Sequence, residues 1–174
     1  SGFHADLLPS VPVSATGWKE VDGPWTTTED PALYNTGGNF DRSTGRFTAP
    51  GDGYFFCAAQ VRLDGVSSTY VRLLIALNGD KDYANGGLQA IDGNSGSTDY
   101  RTLNVAGSLP MAAGDYVSLF VYSVVDASYF VQDNTGFSCH RVSDTGFHAD
   151  LSASVSVSAT GWKEVDGPWT TTED

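Results

Sequence analysis

The chain has 174 residues, and its 21 acidic against 9 basic side chains give a formal net charge of −12. Such an acidic chain repels nucleic-acid phosphates and anionic lipids, and no apolar run approaches the roughly 18 residues of a spanning helix; we expect no nucleic-acid partner and no membrane insertion. With 20 glycines and 17% charged residues, the composition predicts a turn-rich globular domain rather than long solvated helices.

Short strand-like runs follow one another along the whole chain. They are rich in β-branched and aromatic residues, and Gly, Asp, Asn or Pro separates them about every ten residues. No window of a dozen residues keeps the apolar period of a helix. The predicted strands are Phe3–Leu7, Val11–Ser14, Trp18–Val21, Arg46–Thr48, Tyr54–Leu63, Tyr70–Leu77, Asp99–Leu109, Tyr116–Val125, Tyr129–Val131 and Phe137–Val142. The pattern predicts an all-β sandwich or barrel of about ten strands with no substantial helix.

The run from Tyr116 to Tyr122 departs from strict alternation, because apolar and aromatic residues follow one another almost without interruption. Such a run is typical of a strand that is buried on both faces. We therefore expect Tyr116, Phe120 and Tyr122 to lie under a contact between subunits.

The chain also contains an internal repeat with a period of 144 residues. Residues 145–174 repeat residues 1–30 and differ at four positions, Ser1/Thr145, Leu8/Ser152, Pro9/Ala153 and Pro12/Ser156. We predict one full unit over 1–144 and the first strands of a second, near-identical unit over 145–174. Thirty residues cannot bury an apolar face of their own, so this second segment must dock on something. It either begins another whole domain or supplies strands to a neighbouring copy.

One set of spacings resembles the C1q-type globular domain of the C1q/tumour-necrosis-factor jelly-roll superfamily. Phe40, Phe47 and Gly53 follow Asn35 at the family's intervals. Four further stretches are similar to the family's strands: Gly2–Leu7 with Trp18–Val21, Tyr54–Cys57, Gly114–Val117 and Gly136–Phe137. The resemblance covers residues 2–142. It implies a jelly-roll β-sandwich in a secreted or extracellular protein that forms trimers.

The chain departs from the family pattern at three positions. Glu29 stands where an aromatic residue is usual, and Cys57 and Ala59 replace larger core side chains. In this family the strand that carries Cys57 lies beside the last strand, which carries Cys139, so the resemblance implies that a disulfide could join the two. Two reduced, buried cysteines acting as small apolar side chains are the alternative.

The resemblance also implies that the first and last strands are neighbours, which brings the two ends of a unit together. Only residues 143–145 join the units, a reach of about 10 Å when extended. Consecutive units must then pack tightly, as in a covalently linked trimer or a rod. Alternatively, residues 146–174 insert into another molecule by strand pairing.

Few residues form a pattern that carries chemistry. The histidines stand in no nucleophile or metal motif, and the chain lacks zinc-type cysteine spacing and the hydrolase and phosphate-loop signatures. We expect no enzymatic activity and no certain cofactor. By position, the resemblance matches Asp99, with Asp92 nearby, to the calcium site that many C1q-like trimers hold. A solvated acidic loop is the alternative.

Trp25 and its repeat equivalent Trp169 lie in a loop-like Gly-Pro-Trp-Thr setting. An exposed indole there would stack on a sugar ring or a partner surface, whereas a buried one would fill the core. Exposure is expected at Trp25 more than at Trp18.

Two functions of different classes follow. The first is a non-enzymatic extracellular module that packs in tandem, or with other copies of itself through 145–174, into a fibre, matrix or adhesive. The second is a C1q-like lectin or pattern-recognition module that binds glycans or microbial surfaces, a function that rests on family habit. We expect the first, because the repeat that supports it is present in this chain.

Overall fold

The computed structural model describes residues 1–14, 16–28, 33–66, 69–93, 100–124, 128–143, 149–151 and 169–171. These residues are built almost entirely of antiparallel strands, and the only helical element among them is the 3₁₀ turn Tyr83–Asn85. The strands are β1 (Gly2–Leu7), β2 (Val11–Ser14), β3 (Gly17–Glu20), β4 (Trp25–Thr26), β5 (Tyr34–Thr36), β6 (Phe40–Asp41), β7 (Arg46–Thr48), β8 (Gly53–Asp64), β9 (Val71–Leu77), β10 (Leu88–Asp92), β11 (Tyr100–Met111), β12 (Tyr116–Ser123), β13 (Ser128–Val131), β14 (Gly136–Ser143), β15 (Ala149–Leu151) and β16 (Trp169–Thr171).

Two compact units divide the chain, residues 1–144 and residues 145–174. In the second unit β15 pairs with β16, and Leu151 lies opposite Trp169. In the first unit β1 pairs with β4, and Leu7 lies opposite Trp25. The neighbouring Asp–Thr pair keeps the same register in both units. The repeated segment therefore forms the same local strand pairing twice.

The first sheet of residues 1–144 is arranged around β8. Strand β11 pairs with the whole length of β8, so β14 and β13 must share the opposite edge. Strand β14 pairs in turn with β1, and β4 and β5 share the far edge of β1. Strand β2 extends the sheet beyond β13. The first and last strands of the unit are thus neighbours.

The second sheet is arranged around β12. Strand β9 pairs along one edge of β12, and β3 and β7 follow each other along the other edge. Strands β10 and β6 lie outside β9 and β7. The two antiparallel sheets pack as a jelly-roll-like β-sandwich, which confirms the predicted fold class.

The alternation of side chains along β8 explains how the sandwich encloses its core. Phe55, Cys57, Ala59, Val61 and Leu63 are buried in the core, and the alternate residues Phe56, Ala58, Gln60 and Arg62 face outward. In the same core, the ring of Phe3 stacks on Phe40 at a centroid distance of 4.0 Å and meets the edge of Phe137 at 5.0 Å. Because these rings come from both sheets, the aromatic cluster joins the two layers.

A disulfide joins Cys57 in β8 to Cys139 in β14, with the two sulfur atoms 1.98 Å apart. The two residues lie directly opposite each other in the strand register. On the same ladder the buried ring of Phe137 lies opposite Ala59. Cys57 and Ala59, the small core side chains of β8, therefore lie directly opposite Cys139 and the large ring of Phe137 on β14.

The strand prediction missed β4, β5, β6 and β10. Strands β4 and β6 have two residues each, too short for alternation to be recognised, and β5 reads Tyr-Asn-Thr, a composition more typical of a turn. Two predicted strand ends also lie outside the described residues, at Asp99 and Val125. The described parts of these two strands are Tyr100–Met111 and Tyr116–Ser123.

Replacing both cysteines by alanine (C57A/C139A) is expected to lower the free energy of unfolding. The bridge spans 82 residues, and in the chain-entropy account such a loop contributes about 4.5 kcal/mol. Chemical denaturation of the full chain measures the difference. A reductant should destabilise the wild type by a similar amount and leave the double variant unchanged. Equal stability of the two proteins under oxidising conditions would contradict the bridge.

The free energy of unfolding at alkaline pH should depend on Tyr129. Burial raises the pKa of Tyr129 to about 12 from an ordinary value of 10.0, and its hydroxyl has no hydrogen-bond partner among the described residues. Since the folded-state pKa is raised, this stabilising contribution is full below pH 10 and is lost as the pH rises towards 12. Tyr129→Phe should therefore match or exceed wild-type stability at pH 7 and lose less between pH 10 and 12. Parallel denaturation curves at three pH values test this, and equal alkaline losses would contradict it.

Candidate functional site

The three predicted interface residues of β12, Tyr116, Phe120 and Tyr122, share the outer face of the second sheet. The alternate residues between them, Val117, Leu119 and Val121, are fully buried in the core between the sheets. The prediction that this strand is buried on both faces agrees with the structure, since Phe120 is only 5% exposed.

The burial of Phe120 comes from the chain itself. Phe120 forms a second apolar cluster with Leu74 and Ala76, and Trp18 packs against it. The ammonium of Lys81 lies 5.5 Å from the centroid of the Phe120 ring. The continuous apolar pattern of β12 is therefore explained within one chain, and it no longer requires a subunit contact.

Cations cover the remaining aromatic rings on this face. The guanidinium of Arg72 lies 5.2 Å from the ring of Tyr70 and 5.5 Å from that of Tyr122. Arg46 lies 4.7 Å from the Tyr116 ring and donates two hydrogen bonds to the carboxylate of Glu20, at 3.0 and 3.1 Å. These hydrogen bonds raise the pKa of Arg46 above its ordinary value. The outer face of the second sheet is thus largely occupied by its own side chains.

The structure reverses the expectation for the two tryptophans. Trp25 is 4% exposed, belongs to the main core, and donates a hydrogen bond from Nε1 to the backbone oxygen of Val21 at 3.1 Å. A ring in this position cannot stack on a sugar or a partner. Trp18 is instead half-buried on the surface, beside Tyr122. The side chain of Trp169 lies outside the described residues, although its backbone forms β16.

Of the predicted calcium ligands, Asp99 lies outside the described residues. Asp92 Oδ2 lies 3.8 Å from Nε of Arg101, and this arginine side chain is 3% exposed. A carboxylate that already faces a buried cation is a weaker calcium ligand than a free one. Within the described ranges, no three His, Cys, Asp or Glu side chains converge on one point. Calcium binding stays a prediction.

The outer face of the first sheet carries an open groove of about 500 Å³. It lies across four strands, β1, β14, β8 and β11, at two adjacent rows of the register. One row consists of His4, Ser138, Ala58 and Ala106, and the other of Asp6, Gly136, Gln60 and Asn104. We call this feature the first-sheet groove. Strand alternation places these side chains outside the core.

Both ends of the first unit lie close together, in the neighbouring strands β1 and β14 of the first sheet. Gly2 lies opposite His140, and the backbone N–H of Arg141 donates a hydrogen bond to the oxygen of Ser1 at 3.1 Å. The position at which one repeat unit begins is therefore adjacent to the position at which that unit ends.

The four differences between the repeats all fall on exposed positions of the first unit, Ser1, Leu8, Pro9 and Pro12. Every buried residue of this segment recurs unchanged in 145–174; these residues are Gly2, Phe3, Ala5, Leu7, Val13, Val21, Trp25 and Thr27. The repeat thus preserves the side chains that the core requires and varies only where solvent meets the surface.

Comparisons with known proteins add no identification. A scan against protein-family models finds no matching family, and a search of curated proteins finds no significant match. No helix in the described part of the chain is long and apolar enough to cross a membrane.

Sequence reasoning missed the first-sheet groove entirely. The outward positions of β8 and β14 follow from their alternation, so Ala58, Gln60 and Ser138 could have been assigned to the surface. What the sequence does not contain is the register that sets β1 and β11 beside them, because those strands are distant from β8 and β14 along the chain.

The two tryptophans offer a direct test of these placements. Trp25→Ala removes a fully packed ring and should lower the free energy of unfolding by about 3–5 kcal/mol. Trp18→Ala, the matched control, should cost less than half as much because its ring remains partly solvated. Denaturation of both variants, followed by circular dichroism, measures the difference. Equal losses would show that Trp25 is not a core residue.

Proposed function

We propose that this chain is a non-enzymatic, extracellular, C1q-like module that associates with other copies of itself to build a structural assembly. The observation that carries the proposal is the repeat, in which 145–174 keeps every buried residue of the opening segment and the same strand register. A segment so matched to the opening strands has the side chains needed to fill the same place in a second copy.

That place in a unit is large and apolar. Residues 1–28 supply strands to both sheets, since β1, β2 and β4 belong to the first and β3 to the second. Phe3, Ala5 and Leu7 are fully buried, and β1 pairs with β14 over five residues. The equivalent residues Phe147 and Leu151 need a comparable surface. We therefore propose that residues 145–174 pair with β14 of another copy in place of that copy's own β1, or that they open the next unit of a tandem array.

The position of the ends supports tight packing of successive units. A unit begins and ends in neighbouring strands of the first sheet, and only residues 143–145 join the two repeats. A connection this short, between neighbouring positions, favours units that cluster about a common point, as in a covalently linked trimer, over separate beads on a flexible chain.

The alternative function is a C1q-like lectin or pattern-recognition module. Trp25, proposed for that role on sequence grounds, is buried, so the loops around it give no support. The structural support for recognition is the open first-sheet groove. We rank self-association first because its support comes from thirty repeated residues and not from one surface feature.

Size-exclusion chromatography with light scattering tests self-association. We expect the full chain to form oligomers whose size increases with protein concentration. Residues 1–144, a compact unit with its own core, should form smaller oligomers than the full chain at the same concentration. Leu151→Asp places a charge at the equivalent of fully buried Leu7. It should raise the protein concentration at which oligomers form at least tenfold.

Ser152→Asp is the matched control, because it places the same charge at the equivalent of exposed Leu8 and should associate like wild type. A monomeric full chain at all concentrations would refute the proposal. Identical trimers from 1–144 and from the full chain would keep self-association but exclude 145–174 as its route.

A further inference from the structure

Two tyrosine rings meet on the outer face of the second sheet, near the start of β9. Tyr122 of β12 lies opposite Arg72 of β9 in the strand register, and Tyr70 stands two residues before Arg72. Residues two positions apart on one strand share a face, so Tyr70 is the diagonal neighbour of Tyr122 across the two strands. The ring centroids are 5.9 Å apart and the ring planes differ by 16°. Diagonal pairing therefore brings two phenol rings side by side in nearly parallel planes.

The two phenol groups also interact through their hydroxyl ends. A side-chain hydrogen bond with Tyr70 raises the pKa of Tyr122 above its ordinary value of 10.0, and partial desolvation adds to the shift. This hydrogen bond brings the two oxygen atoms together, and with them the ring carbons ortho to each oxygen. Both residues are half-buried, so the pair is held within the surface and is not sealed from water.

Neighbouring side chains hold the pair in place. The guanidinium of Arg72 lies 5.2 Å from the ring of Tyr70 and 5.5 Å from that of Tyr122. Nε of Arg72 is buried and has no hydrogen-bond partner among the described residues, so the rings, and not a hydrogen bond at Nε, hold this part of the side chain. On the other edge of β12, the ring of Trp18 lies 5.1 Å from that of Tyr122. The two phenols are thus positioned before any reaction, which removes much of the entropic cost of bringing them together.

We propose that Tyr70 and Tyr122 are a site of oxidative cross-linking, at which hydrogen peroxide and a haem peroxidase join the two side chains as dityrosine within one chain. Each hydroxyl group gives up one electron and one proton, and the resulting phenoxyl radicals carry spin density on their ortho carbons. One carbon–carbon bond forms between an ortho carbon of each ring. The hydrogens on these two carbons leave as protons, and the two oxygens take up protons from water, which restores both phenols. The peroxide takes up the two electrons and two protons and leaves as two water molecules.

Positioning, and not exposure, should select this pair of tyrosines. Tyr100 is 60% exposed and Tyr34 is 41% exposed, so an oxidant reaches both of them more easily than the half-buried pair. A radical on either of these first-sheet residues couples by meeting another molecule, at a rate that falls as the protein is diluted. A radical on Tyr122 instead has the ring of Tyr70 beside it in the same chain. Dilution should therefore favour the link between Tyr70 and Tyr122.

Oxidation of the dilute full chain by hydrogen peroxide and a haem peroxidase tests the proposal. Dityrosine is followed by its fluorescence, and the product is reduced, digested with trypsin and analysed by mass spectrometry. Since trypsin cleaves after lysine and arginine, Tyr70 lies in the peptide 63–72 and Tyr122 in the peptide 102–141. We expect these two peptides to be joined, with a combined mass lower by two hydrogen atoms, in molecules that migrate as single chains on a denaturing gel. Fragmentation then locates the linked residue in each peptide.

Substitutions connect the link to this pair. Tyr70→Phe and Tyr122→Phe keep the ring and remove the hydroxyl group that forms the radical, so each should reduce the yield of the linked peptides at least tenfold. The matched controls are Tyr34→Phe and Tyr100→Phe, which remove more exposed hydroxyl groups and should change the yield less than twofold. Circular dichroism confirms that each variant is folded before oxidation.

Two results would overturn the proposal, the absence of dityrosine from single chains and a link that survives Tyr70→Phe or Tyr122→Phe. Dityrosine found only between covalently joined molecules would assign the reaction to other, exposed tyrosines. The site does not depend on the self-association proposal. Leu151→Asp should hinder the growth of oligomers and leave the yield of the link unchanged, so the two proposals can fail separately.

Discussion

The pairing of β14 between β8 and β1 is the interaction on which the rest of the first unit depends. Strand β14 is the last of the unit, yet it lies inside the first sheet, so the sheet is complete only when both ends of the chain are in place. Phe137 brings its ring to Phe3 from this strand, and Cys139 joins β14 covalently to the centre of the sheet. Most of these contacts connect residues far apart in sequence, and folding of such a topology must wait for long loops to close. The disulfide reduces that cost by shortening the effective loop.

The two outer faces of the sandwich differ because their side chains differ in length. On the second sheet, long cationic side chains fold over Phe120, Tyr116 and Tyr122 and cover them. On the first sheet, alanine, serine and glycine leave the floor open and polar residues stand only at its sides. Burial of a ring by a chain's own arginine or lysine removes the apolar surface that a partner would otherwise cover. The open depression on the first sheet is therefore lined by small and polar side chains and not by an exposed ring, opposite to what a search for tryptophans indicates.

The sequence was sufficient for the all-β class and for most of the long strands, because alternation and turn residues are local signals. It failed at strands of two or three residues, where β4 and β6 owe their existence to pairing with β1 and β7 and not to their own composition. It failed at Trp25, because a Gly-Pro-Trp-Thr segment looks like an exposed loop until the fold sets it against the core. The groove was out of reach for a similar reason, since its residues come from four strands that only the register brings together. Alternation along a strand predicts whether a side chain lies on the core side or the outer side of the sheet. The register between strands decides which other residues lie beside it.

Self-association by strand pairing and the alternative function, recognition through the first-sheet groove, are compatible, because the repeat preserves both. If residues 145–174 of one molecule took the place of 1–30 in another, His148 and Asp150 would occupy the positions of His4 and Asp6. The rim of the groove would then be rebuilt from the neighbouring molecule with the same imidazole and carboxylate. Gly136, which makes room for them, lies on β14 and stays with the receiving unit. An exchanged unit would therefore contain a groove of the same composition, so the number of grooves in an assembly would follow the number of completed units, whichever molecule supplied the first strand.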